Sequence, residues 1–155
     1  MNKQNKKISM FGMSLMIVCG LLASGASATA QSVDRHCTNR AVSGDYGYVA
    51  QGVLIGITGL PAEAQFRSVG VAHFDGKGSL TWVEHTVVNG IPLNLNWLAA
   101  SGTYTVNSDC TGTAVVNTPN SFVPLKLDFA VVRQGTEIHS VLDGNAITTV
   151  FIKID

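Results

Sequence analysis

Phe74-Asp75-Gly76-Lys77-Gly78-Ser79-Leu80-Thr81-Trp82-Val83-Glu84-His85-Thr86-Val87-Val88-Asn89-Gly90 is the stretch from which the fold can be read. It holds a strand between two turn signals. Asp75-Gly76 and Asn89-Gly90 supply the positive φ that tight hairpin turns demand. Between them the β-branched and aromatic residues suit a pleated strand. Alternation places Leu80, Trp82, Glu84, Thr86 and Val88 on one face, and Thr81, Val83, His85 and Val87 on the other.

The same grammar repeats in both directions. Val, Ile, Leu and Thr are abundant, and Gly or Asn/Asp interrupts them every eight to twelve residues, the mark of an all-β barrel or sandwich. The spacing predicts eight strands, near 43–55, 65–74, 79–88, 92–106 (interrupted near 98–102), 110–117, 123–133, 136–142 and 146–153. No stretch keeps a 3.6-residue apolar period, and 61–65 offers one helical turn at most. Strands joined by tight turns pair antiparallel. Eight of them in a meander can close into an up-and-down barrel, which removes exposed edges. A two-sheet sandwich is the alternative. Ser43-Gly44-Asp45-Tyr46 and Ser101-Gly102-Thr103-Tyr104 echo one another at two strand entrances.

Upstream of the strands, Lys3, Lys6 and Lys7 precede an apolar run from Met10 to Ala23, and small residues follow to Ala30. This is the order of a cleavable secretory signal, residues 1–30, cut after Ala30 or else after Ala28. The apolar run falls short of the roughly 18–20 residues of a membrane span. Cys19 follows Val18 in mid-run, which does not suit lipidation. Residues 31–155 then form a single domain in the periplasm or outside the cell. That segment keeps seven of the ten basic residues and all ten acidic ones. Such a balance argues against a nucleic-acid partner or an anionic membrane surface. A membrane-spanning barrel is disfavoured by Lys126, Asp128 and Lys153, which would break a lipid-facing band.

Cys37 and Cys110 remain. In an oxidising compartment an isolated pair reads as one disulfide. A reactive thiol, or a metal site with His36, is the competing reading. No third and fourth ligand stand at metal spacing. His36, His73, His85 and His139 form no ligand pair, no Gly-x-Ser-x-Gly nucleophile elbow occurs, and no cofactor motif is present. Neither a metal nor a cofactor is expected.

The 74–81 hairpin, the run from Gly102 to Thr113, Cys37 and Gly44-Asp45-Tyr46-Gly47-Tyr48 resemble a group of small exported bacterial proteins of unassigned role. Those in turn are similar to the allene oxide cyclase-like, lipocalin-like β-barrels. The resemblance implies a lumen that holds a small hydrophobic molecule and, in some members, isomerises or cyclises it. It carries no catalytic residue across.

The candidate site therefore comes from the strand faces. If Leu80, Trp82 and Glu84 face the interior, a carboxylate stands in an apolar lumen beside an indole. There it can serve as acid or base. If that face is solvated, His85 turns inward instead. Leu125, Leu127, Phe129 and Val131 share a face opposite Lys126 and Asp128. The expected ligand-binding residues are Trp82, Leu127 and Phe129, with Glu84 as the catalytic candidate. The last strand is apolar on both sides, which suits a covering loop or a homo-oligomer contact. Three functions compete: a barrel binding a small apolar ligand, a barrel enzyme (cyclase, isomerase or lyase) using a buried carboxylate, and a structural or interaction protein with a filled barrel.

Overall fold

Period-2 alternation of burial runs through almost every strand, so each presents one face to a shared interior. A computed structural model describes residues 36–154. The expected signal segment and cleavage site, and Cys19, lie outside the described residues. The strands are β1 (Gly44–Ile55), β2 (Glu63–Phe74), β3 (Ser79–Val88), β4 (Ile91–Pro92), β5 (Leu98–Val106), β6 (Thr111–Asn117), β7 (Leu125–Val132), β8 (Glu137–Leu142) and β9 (Ala146–Lys153). Apart from β4, each neighbours the next in an antiparallel meander, with β3 paired directly to β5, and β9 pairs back onto β1. Eight strands thus close a barrel; the two-residue β4 is an extra strand on β3. Barrel, not sandwich, is the architecture.

Four boundaries differ from the sequence reading. The segment expected as one strand over 92–106 is β4 followed by an irregular stretch and then an unbroken β5. Asn89 and Gly90, at φ 50° and 79°, make the tight turn that lays β4 on β3. Leu93 still donates its amide to the Thr86 carbonyl at 3.0 Å, residues 94–97 leave the sheet, and the Asn94 side chain donates to Asn120 Oδ1 at 3.0 Å in the loop after β6. The strand expected from 123 begins at Leu125. Residues 61–65 hold no helical turn; β2 starts there, at Glu63. An unforeseen 3-10 turn occupies Asn39–Val42.

That turn closes one end of the barrel. Val42 is fully buried in the core. Asn39 Oδ1 accepts the Val106 amide at 2.8 Å, and its carbonyl accepts the Tyr104 hydroxyl at 3.3 Å. A Cys37–Cys110 disulfide, with Cα atoms 4.9 Å apart, ties the segment to the β5–β6 turn. The two Ser-Gly-x-Tyr echoes meet here. Tyr46 and Tyr104 both pack edge-on against Phe74, at centroid distances of 5.4 and 5.0 Å. The Tyr46 hydroxyl donates to the Gly135 carbonyl. The floor of the barrel is therefore aromatic, hydrogen-bonded and cross-linked.

Candidate functional site at the open end

At the opposite end the inward face of β3 delivers Trp82, Glu84, Thr86 and Val88, all buried. Glu84 is only 5% exposed, so its carboxylate belongs to the interior and His85 to the outer face. There His85 packs against the exposed Trp97, ring centroids 5.9 Å apart. Register decides what Glu84 meets. Tyr48 on β1 stands opposite Gly70 on β2, and Gly70 stands opposite Glu84 on β3. A Cβ on Gly70 would lie 2.6 Å from the Tyr48 ring. The missing side chain lets the ring lie across β2 and brings the phenol to the carboxylate.

Two residues beyond β6 complete the setting. The Thr118 hydroxyl and the Asn120 amide both donate to Glu84 Oε1, the latter at 3.1 Å. Asn94 extends the chain by donating to Asn120. Nearer the mouth, Thr86 Oγ1 donates to Ser68 Oγ at 2.9 Å. Burial raises the Tyr48 phenol far above an ordinary tyrosine, and the negative charge of Glu84 adds to the shift. Tyr48 is thus held as the neutral phenol. Its hydroxyl is buried beside Ser68 and Glu84, and the Trp82 indole N–H is buried without a hydrogen-bond partner. Among the described residues no Lys, Arg or His forms an ion pair with Glu84.

Two adjoining cavities share Glu84. The outer one, about 460 Å3, is a mouth walled by Leu54, Ile57, Leu60, Phe66 and Val123, with Thr118 and Asn120. The inner one, about 40 Å3, is lined by Tyr48, Trp82, Glu84, Leu127 and Phe151, among others. Glu84, Phe66, Leu125, Leu142 and Ile147 border both and form the neck.

Of the residues picked from the sequence, Trp82, Glu84 and Leu127 come together around the inner cavity, and Glu84 alone of them also borders the mouth. Phe129 is buried in the core but borders neither cavity; its ring lies over Gly112. Sequence reading missed Tyr48, Thr118 and Asn120. Gly70, a gap in the inward face of β2, was the one signal for Tyr48. Thr118 and Asn120 sit in a loop 34 and 36 residues away from Glu84, and nothing local marks them. Among the described residues no three His, Cys, Asp or Glu side chains gather at metal-binding distance. No family model, curated protein or solved structure matches this chain. The site has to be interpreted from its own residues.

Proposed function

We propose that this is an exported binding protein whose barrel takes the apolar part of a small ligand into its mouth and the polar end into its neck. The observation that carries this reading is a one-ended funnel: an apolar mouth of about 460 Å3 narrowing onto a buried carboxylate. Its volume lies in the range of small-molecule sites, roughly 300–1,000 Å3. Its walls are mainly aliphatic and aromatic, with polar residues at the rim and neck, and each methylene buried there contributes about 0.8 kcal/mol.

Trp82 reports on the inner cavity. In a Trp97→Phe background, an apolar dye such as Nile red should quench Trp82 emission in a saturable way. Trp82→Ala, followed by the dye's own fluorescence, should weaken its binding. If neither the dye nor any other apolar probe binds, the barrel is a filled scaffold whose loops meet a partner. A second reading, acid–base catalysis, is favoured by one observation: the neutral Tyr48 phenol beside the Glu84 carboxylate. It predicts that Glu84→Gln abolishes turnover of a substrate while leaving its binding nearly intact, since shape is kept and the titrating proton is lost.

A further inference from the structure

Glu84 is buried, and its known partners are neutral donors. Both the Thr118 hydroxyl and the Asn120 amide go to one oxygen, Oε1. A carboxylate removed from water is costly unless a cation or several hydrogen bonds compensate it. Among the described residues no basic side chain does so. Lys126 is the one basic residue bordering the mouth; it is exposed, and Asp143 borders the same rim. Two aromatic side chains, Tyr48 and Trp82, flank the inner cavity with ring centroids 5.7 Å apart. The Tyr48 hydroxyl, buried in the same wall, lies beside the carboxylate and Ser68.

A carboxylate sharing a cavity with aromatic rings is the chemistry that receives an ammonium group, through a charge-assisted hydrogen bond and attraction to the rings. The inner cavity, about 40 Å3, fits a small head group, since one water needs about 10–15 Å3 of such space. The mouth is large enough for the hydrocarbon. We infer that the ligand is an amphipathic amine: a protonated amino group seated on Glu84 in the neck, with an apolar tail in the mouth. This inference rests on the binding reading above and adds the class of head group. An acid with the same tail would meet the Glu84 charge head-on, and an alcohol would gain a hydrogen bond to the carboxylate but no ion pair.

Three probes with one tail separate the terms: octylamine, octanol and octanoic acid, titrated near neutral pH by calorimetry against the intact domain. Octylamine should bind about tenfold or more tighter than octanol, a difference of about 1.4 kcal/mol, and octanoic acid should bind weakest. Glu84→Gln, which keeps the side chain's shape, should cost octylamine about tenfold more affinity than it costs octanol, bringing the two close together. Equal binding of amine and acid by the unaltered protein would overturn the head-group assignment and leave the apolar mouth standing; that comparison needs no variant to fold. An unchanged amine affinity in Glu84→Gln would overturn it too. If none of the three binds, the binding function itself falls.

Discussion

The three tyrosines of the chain, Tyr46, Tyr48 and Tyr104, are all buried in the barrel. Burial pushes Tyr46 up to about 12, helped by neighbouring Tyr104. It raises Tyr48 and Tyr104 as well, with the charges of Glu84 and Asp75 respectively adding to the shift. The sign follows from linkage. An unfolded chain gives up its phenol protons near pH 10, and the folded one keeps them. The stability these groups contribute is complete below pH 10 and is lost as pH rises through the folded values. Tyrosinate absorbance should therefore stay near zero until the barrel unfolds, then appear for all three at once, with the circular dichroism change. A gradual titration of even one tyrosine in the folded protein, near pH 10, would contradict this packing. At this scale the sequence disclosed much of the site. Alternation alone set Trp82 and Glu84 on one face. It could not show Tyr48, because a β1 side chain reaches β3 only where the intervening residue is a glycine.

Among the elements, β2 carries that glycine, and its role is steric. A Cβ on Gly70 would lie 2.2 Å from the Val83 carbonyl oxygen as well as against the Tyr48 ring. Gly70→Ala should then force β2 and β3 apart, or expel the phenol. Overpacking of this kind costs about 1–3 kcal/mol. Urea denaturation should show a lower midpoint with the slope unchanged, and ligand affinity should fall with it. A stability loss under about 0.5 kcal/mol, the size of an ordinary surface substitution, would mean the ring does not lie where described. Strand-level reading from sequence worked wherever turn chemistry marked the ends, as at Asp75-Gly76 and Asn89-Gly90. It failed over 91–97, where Ile-Pro-Leu-Asn-Leu-Asn-Trp alternates like a strand. There the segment meets a distant loop instead, through the Asn94–Asn120 hydrogen bond. Periodicity records a residue's preference for a face and carries no trace of a partner across the mouth.

For the whole molecule, the two ends of the barrel do different work, and the disulfide belongs to the closed one. The sequence marked Cys37 and Cys110 as a pair, yet gave no hint that the bridge fastens a plug. That role depends on Asn39–Val42 turning into the barrel, a four-residue element too short to announce itself by period. Cys37 and Cys110 are 73 residues apart. Closing a loop of that length stabilises the fold by about 4 kcal/mol in the chain-entropy model. Replacing both cysteines by serine should lower the melting temperature by on the order of 10–20 °C, each kcal/mol being a shift of several degrees in a domain this size. The plug also keeps Val42, the Asn39–Val106 hydrogen bond and the Tyr104–Asn39 contact. The barrel should therefore stay closed at that end below its new melting point. Glu84 and its cavities lie at the opposite end. Ligand affinity measured at 20 °C below that midpoint should accordingly change less than about threefold, or roughly 0.6 kcal/mol. A large loss of affinity in a still-folded double variant would show that the floor and the mouth are mechanically coupled. An unchanged melting temperature would show that the plug is held without the bridge.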